Sequence, residues 1–382
     1  MELVTVAWLA IVAGVAGVAY PYVGYPALLA LIAGPRERPT EDEFTEWPAV
    51  TMVVAAHNEA GVIEAKLANT AAIDYPGQFD CLVVSDSTDE TDDVVRSHGG
   101  ERVRLLELSE RRGKSHALNR AVDATDSDIL VFSDANTMYE ADAVRHLVGP
   151  LVDSAVGCTT GQLRLTDPGG ETSESAYWRY ELWLRRLEAR FGTTVSINGG
   201  CLALRRADFE PLPENALTDD FVVALQQLAA HRRVVYVPEA RTTEETTGGL
   251  WSEFDRRVRI GAGNYQTLGW FAGTLHPRYG ITAVQFLSHK VCRWLVPGLL
   301  LAIVGLTAGL VLVAPSTAAV ALAAVELSAA AVALVGAASS RARRLAAFRL
   351  PAYVLVMQLA FAVGFVRFLR GPTTDIWGST RS

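Results

Sequence analysis

Asp134 and Asn136, two oxygen-bearing side chains set two residues apart, end an apolar run that begins at Ile129. Ile129, Leu130, Val131 and Phe132 have the composition of a buried strand. An acid and an amide at the carboxyl end of a parallel strand can hold a hard cation and the phosphates it bridges. Taken alone, the same residues equally describe a polar turn that caps the next helix. Other polar clusters bear on the choice. His57-Asn58-Glu59 follows the apolar run Val50–Ala56, and Asp86 to Asp89 follow the apolar run 79–84. Lys114, next to Gly113, stands where Ala117, Leu118, Ala121 and Val122 begin a helical spacing. Thr218-Asp219-Asp220 opens a further helix, with Thr218 a candidate cap.

The elements that must position these groups follow from the apolar pattern. Strands are predicted at 50–56, 79–84, 103–106 and from 129. Helices are predicted around Ile63, Leu67 and Thr70, from Lys114, and over 141–151. Strand and helix alternate four times, which predicts an α/β domain with a parallel sheet and right-handed crossovers. Such sheets bind ligands off the carboxyl ends of their strands. The clusters at 57–59, 86–89 and 134–136 all fall on that edge. Independent helix caps would have no reason to do so. After Gly157 the alternation stops. A helix over 174–191, a glycine turn into a strand over 197–205, a short strand at 234–237 and an amphipathic segment over 251–268 are predicted there.

Half of the 382 residues are hydrophobic, and they concentrate at the two ends of the chain. The net charge of −8 argues against nucleic acid as a partner. Cys81, Cys158, Cys201 and Cys292 have neither metal-ligand spacing nor a disulfide pattern, and read as small buried hydrophobes in a reducing compartment. Residues 3–35 carry no charge, and ~20 apolar residues suffice to cross a bilayer. A cleaved signal peptide would want a basic start, and the only early charge is Glu2. Tyr20, Tyr22 and Tyr25, with Pro21 and Pro26, predict a kink or an interfacial end. Arg36 and Arg38 place the following domain in the cytoplasm. Residues 39–48 read as a polar, acidic linker.

Near the C-terminus, two apolar runs meet at Pro315-Ser316, and a third covers 350–366. Arg341, Arg343 and Arg344 separate the second from the third. Glu326 lies within a span, where an acid costs ~2.5–3.5 kcal/mol on insertion scales. It is either functional or held against protein. Three C-terminal spans would put the tail outside, whereas Arg367, Arg370 and Arg381 favour an inside tail, with Trp377 beside them. One run would then be interfacial or re-entrant, or the stretch 299–338 arranged otherwise.

Five blocks in order carry a resemblance. They are Ala55-Ala-His-Asn-Glu59, Val84-Ser-Asp-Ser-Thr-Asp-Glu-Thr91, Gly113-Lys-Ser-His-Ala-Leu-Asn119, Phe132-Ser-Asp-Ala-Asn136 and Thr218-Asp-Asp220. With them, from about residue 48 to 269, the chain resembles the membrane-embedded family 2 glycosyltransferases. That group includes cellulose, hyaluronan and poly-N-acetylglucosamine synthases and related lipid glycosyltransferases. The resemblance implies a Rossmann-like GT-A domain of α/β class with flanking transmembrane helices. The implied organisation is an N-terminal transmembrane helix at 1–35, a cytoplasmic catalytic domain at 48–250 and interfacial amphipathic helices at 251–290. About three transmembrane helices at 291–370 and a polar tail at 371–382 complete it.

The implied activity is inverting transfer of a sugar from a nucleotide sugar, a UDP-sugar first of all, to a lipid or saccharide acceptor. Mg2+ or Mn2+ would neutralise the leaving diphosphate as a Lewis acid. Asp134 and Asn136 are the implied metal pair; Asn stands where the family usually has a second Asp, so Asp134 carries most of the charge. Ala55, His57, Glu59, Asp86, Lys114 and Asp134 are the implied nucleotide-sugar pocket, with Asp86 on the base or ribose. Lys114 at a helix start suits phosphate. Asp220 is the implied general base. Asp219, which replaces the family's Glu, faces acceptor and diphosphate or supports the loop.

The family's Gln-x-x-Arg-Trp reads Arg256-Arg-Val-Arg-Ile260. Arg256 and Arg259 are the implied diphosphate clamp. Ile260 removes an indole on which an acceptor sugar could stack, and polar groups in the spans are few. Both points favour a lipid or short acceptor over a processive synthase that translocates its product. An inactive nucleotide-sugar binder is the remaining alternative, and the retention of Lys114, Asp134 and Asp220 together argues against it. A transporter is disfavoured because the candidate site lies in the soluble domain.

Overall fold

A computed structural model describes residues 2–32, 34, 46–98, 100–166, 176–245 and 250–371. The chain begins with α1 (Glu2–Ala19) and α2 (Tyr25–Ile32). There follow β1 (Val50–Ala56), α3 (Ala60–Ala71), β2 (Phe79–Ser85), α4 (Thr91–His98), β3 (Val103–Glu107), α5 (Lys114–Asp123), β4 (Ile129–Asp134) and β5 (Thr137–Tyr139). Next come α6 (Ala143–Val148), β6 (Val156–Thr166), α7 (Ala176–Ala189), β7 (Leu202–Arg205), α8 (Asp219–Ala229) and β8 (Arg233–Glu245). Helices α9 (Leu250–Phe271), α10 (Ile281–Gln285), α11 (Cys292–Val313), α12 (Thr317–Ala338) and α13 (Ala346–Leu369) end the chain. The elements fall into two compact units. Of the described residues, one unit holds those within 1–31, 248–265 and 286–371, and the other those within 32–247 and 266–285.

In the second unit β1 is buried at all seven positions, as a strand covered on both faces must be. It lies inside a sheet of order β3-β2-β1-β4-β7-β6-β8-β5. β3, β2, β1 and β4 run parallel, with Val50 opposite both Phe79 and Ile129. The four strands expected to be parallel are so, and the strands beyond Gly157, where the alternation stops, form a mixed half in which β6 and β8 are parallel. β7 is antiparallel to β4 and β6, and β5 is antiparallel to β8.

β7 is the strand expected after the glycine turn over 197–205, whereas β5, with three residues, is too short to show a period. β8 runs for thirteen residues because Ala240 and Thr242 face inward while Glu239 and Arg241 face out; only its apolar first half was legible. α4, whose only apolar residues are Val94 and Val95, has no counterpart among the expected helices. Ile63, Leu67 and Thr70 form the buried face of α3 as their spacing predicts, and Lys66 is buried with them.

β6 and β8 change register between Gly161 and Gln162. A Cβ on Gly161 would overlap the carbonyl oxygen of Ala240 and Sγ of Cys201. Close backbone approach of this kind demands glycine.

In the first unit the segments Glu2–Ile32, Thr317–Ala338 and Ala346–Leu369 are long and apolar enough to cross a membrane; a fourth such segment is Ile281–Val313. Leu3, Val6, Leu9 and Val12 are exposed along α1, whereas Ile11 is buried against Ile303, Leu310 and Ala319. The kink expected at Pro21 takes the form of a π-helical turn, Tyr20–Gly24. The turn expected at Pro315-Ser316 separates α11 from α12, with Ser316 Oγ accepting from the Ala319 N–H at 3.2 Å. The Glu326 carboxylate accepts a 2.9 Å hydrogen bond from Thr307 Oγ1 on the neighbouring helix. Residues 39–45 of the expected linker and the tail with Trp377 and Arg381 lie outside the described residues.

Gly161→Ala is expected to destabilise the chain by ~1–3 kcal/mol, the range for forcing extra methyls into a packed core. Thermal unfolding in detergent measures it; an unchanged midpoint would mean that the strands part to admit the methyl.

Candidate active site

The register of the parallel strands sets the site. Ala55 on β1 stands opposite Val84 on β2 and Asp134 on β4, so the polar residues that follow these strands share one edge. Ala55 itself is buried in the sheet. The turns are tied to one another. Asn58 adopts φ 56°, a left-handed conformation that Asn tolerates better than most residues. Its backbone N–H donates to Ser87 Oγ at 2.9 Å, and its Oδ1 accepts from the Thr88 N–H at 2.9 Å. The Glu59 N–H donates to Thr91 Oγ1 at 2.9 Å, while the Glu59 carbonyl begins α3 by accepting from Val62 and Ile63.

In this corner His57 Nδ1 lies 2.7 Å from Asp86 Oδ1, and both residues are buried. Asp86 Oδ2 is buried with no hydrogen-bond partner among the described residues. A buried carboxylate oxygen without a donor is costly, so it marks a place where a ligand N–H or O–H would be bound.

A second corner is built on charge. Lys114 Nζ lies 2.7 Å from Asp134 Oδ1 and 3.2 Å from Asp219 Oδ2. Burial opposes its charge, but Asp134, Asp219 and Asp220 outweigh burial and hold its pKa above the ordinary lysine value. Gly113, at φ 94°, makes the tight entry into α5 that brings the ammonium here. The loop before α8 is pinned to α5: Asn119 Nδ2 donates to the Leu212 carbonyl and Asn119 Oδ1 accepts from the Leu212 N–H, each at 2.8 Å. Asp220 follows Asp219 in the first turn of α8, and its Oδ1 accepts from the Phe221 N–H at 2.7 Å. Burial and the neighbouring Asp219 push the Asp220 pKa up to about 6, with Lys114 opposing. Gly199 leaves room for this side chain: a Cβ there would stand 2.9 Å from Asp220 Oδ2. Thr218 occupies the cap position of α8 without capping it; its Oγ1 lies 3.2 Å from Thr267 Oγ1 instead.

Asn136 Nδ2 donates to Glu244 Oε1 at 3.3 Å, a partner 108 residues away on β8. Beneath the turn, Lys66 Nζ donates to Ser133 Oγ and to the Thr137 carbonyl. Neither Lys66 nor Glu244 was a candidate in the sequence. The available signal for Lys66 was its place between Ile63 and Thr70 on the buried face of α3. Arg256 and Arg259 belong to the other unit, on α9. There Arg256 forms a two-point pair with Glu253, at 2.8 and 3.1 Å, and Arg257 shares the same carboxylate.

Among the described residues no three His, Cys, Asp or Glu side chains form a ready-made metal cage. That suits a cation whose remaining ligands are phosphate oxygens, because Mg2+ is bound through one or two carboxylates plus substrate phosphates. Asp134, about a third exposed, and Asn136 offer hard oxygen donors of the right kind. The residues fit such an ion.

Similarity to known proteins extends over much of the chain. The family model described as glycosyltransferase-like family 2 matches residues 48–263. An N-acetylglucosaminyltransferase of Mesorhizobium japonicum is 29% identical over 51% of this chain and 50% of its own. A poly-beta-1,6-N-acetyl-D-glucosamine synthase of Staphylococcus aureus is 25% identical over 58% of this chain and 56% of its own. The chain thus spans about half the length of the curated relatives it matches. The mannosyltransferase PcManGT from Pyrobaculum calidifontis, solved with GDP-Man and Mn2+, superposes with a TM-score of 0.73 at 24% identity, covering 95% of this chain and 99% of that one. The catalytic-domain fold is GT-A, and the chain belongs to glycosyltransferase family 2.

Proposed function

We propose that the chain moves a sugar from a nucleoside diphosphate sugar to a lipid or saccharide acceptor, with inversion, at a membrane surface. The observation that carries this reading is the ion cluster of Lys114, Asp134 and Asp219 with Asp220 beside it. Asp86 offers its unpaired Oδ2 to an N–H of the base. Lys114 offers an ammonium to the diphosphate. Asp134, with Asn136, would hold a Mg2+ or Mn2+ ion, which neutralises the leaving diphosphate when bound. Asp220 takes the proton of the acceptor hydroxyl as that oxygen bonds to the anomeric carbon and the bond from that carbon to the phosphate oxygen breaks. One carboxylate base and one displacement give inversion.

A UDP-sugar is the first reading of the donor, in line with relatives named for N-acetylglucosamine transfer. GDP-mannose is the second, favoured by the neighbour PcManGT, which was solved with GDP-Man. The four apolar segments, with Arg36 and Arg38 after the first, support a multi-pass protein whose catalytic domain is cytoplasmic. Ile260 in place of the family's Trp supports a lipid or short saccharide acceptor over a processive polysaccharide synthase.

The test is a screen of membranes containing the chain against UDP- and GDP-sugars with Mg2+ or Mn2+, reading nucleoside diphosphate release and product mass. Failure of every donor to give nucleoside diphosphate release would leave an inactive binder as the better reading. With the active donor, Asp134→Asn is expected to abolish transfer, whereas Asn136→Ala retains it with weaker metal affinity. Full activity of Asp134→Asn would rule out the cation assignment.

Asp220 sets the pH dependence. Below about 6 its carboxyl is protonated and cannot accept a proton, so kcat/KM is expected to rise as pH increases through about 6. Asp220→Asn removes that limb and lowers kcat by ~10²–10⁴, the usual contribution of a general base. A pH profile that is flat through this region would assign the base elsewhere.

A further inference from the structure

Lys66 stands three residues after Ile63 and four before Thr70, so helix geometry puts it on the face those residues bury. It is fully buried. Its Nζ donates to Ser133 Oγ at 2.7 Å and to the Thr137 carbonyl oxygen at 2.6 Å, and lies 4.6 Å from the centre of the Tyr139 ring. Burying an amine is costly even when it is hydrogen-bonded; it pushes the Lys66 pKa down to about 8. A methionine would fill similar volume without that cost.

What the lysine contributes is visible in its two acceptors. Ser133 and Thr137 are the residues immediately outside Asp134-Ala135-Asn136, one on each side. A single nitrogen therefore ties the two ends of the turn together from below. Asn69, on the same helix, extends the hold. Its Nδ2 donates to the Tyr139 carbonyl and its Oδ1 accepts from the Tyr139 N–H, each at 2.8 Å. The Tyr139 hydroxyl donates onward to the Gly200 carbonyl at 2.8 Å. A Cβ on Gly200 would collide with Thr137 Oγ1, so the glycine turn closes tightly over the same segment.

We infer that Lys66 is a positioning residue for the cation site: by joining Ser133 to Thr137 it fixes the turn that presents Asp134 and Asn136 together. The inference rests on the reading of these two residues as the metal pair. Lys66 touches neither of them through a hydrogen bond and acts through their neighbours.

The test measures Mn2+ binding to the purified full chain by electron paramagnetic resonance, in the presence of UDP and, separately, GDP. Lys66→Met is expected to weaken Mn2+ binding ~10–100-fold, the usual effect of losing a group that orients metal ligands. Thermal unfolding in metal-free buffer establishes that the variant is folded. Ser133→Ala, which keeps the lysine and removes one acceptor, is expected to weaken binding by a smaller factor. Combined with Lys66→Met it should add less than it does alone, because the hydrogen bond between Lys66 and Ser133 is already lost. Folded Lys66→Met with the parent's Mn2+ affinity would overturn the inference. So would a Lys66→Met chain that fails to fold while Ser133→Ala binds Mn2+ as the parent does. Absence of Mn2+ binding by the parent with either nucleotide would overturn the metal reading, and the role of Lys66 with it.

Discussion

One ammonium group holds the candidate site together. Lys114 stands between Asp134 at the end of β4 and Asp219 at the start of α8, with Asp220 following. Three carboxylates gathered from two elements would repel one another, and the ordinary response is protonation or separation. Here the Lys114 charge offsets part of the repulsion, and the Phe221 N–H at the start of α8 offsets more. Burial first, and then what remains of the repulsion from Asp219, disfavours the ionised form of Asp220 enough to keep a proton until about pH 6. On the proposed reading, a diphosphate and its cation exchange for these internal pairings: phosphate oxygens for Lys114, the cation for Asp134. The charges are already positioned before substrate arrives, which is the condition for electrostatic catalysis without reorganisation.

The scaffold supplies that positioning through two similar clamps. Asn119 binds both backbone groups of Leu212 and so fastens the loop before α8 to α5. Asn69 binds both backbone groups of Tyr139 and fastens β5 to α3. Side chains that replace a missing ladder partner in this way hold irregular backbone as firmly as a strand would. The parallel half of the sheet provides the edge, and the mixed half, through Glu244 on β8 and the glycine turn before β7, closes over it.

Where a signal extends over many residues, the sequence states the structure plainly. Val50–Ala56 is a strand residue for residue because seven consecutive buried positions leave no other assignment. The long apolar segments are legible for the same reason, since composition over twenty or more residues is hard to mistake. The order of the strand-end clusters made the edge legible too. Short or long-range features were not. β5 is too short to show a period, and the Asn136–Glu244 contact joins positions that no local pattern relates. Lys66 was hidden by its type: a lysine reads as solvent-facing, although its helical neighbours placed it inside. Thr218 was misjudged as a cap because its hydroxyl has a tertiary partner, Thr267.

On the proposed reading, one edge of the sheet binds both a nucleoside diphosphate and a cation. The most direct measurement is a cryo-electron microscopy structure of the full chain with UDP or GDP and Mn2+. Density for the base against Asp86 and for Mn2+ between the diphosphate and Asp134 is the predicted result. Nucleotide bound away from Asp86 and Lys114, or Mn2+ bound without contact to Asp134, would contradict it.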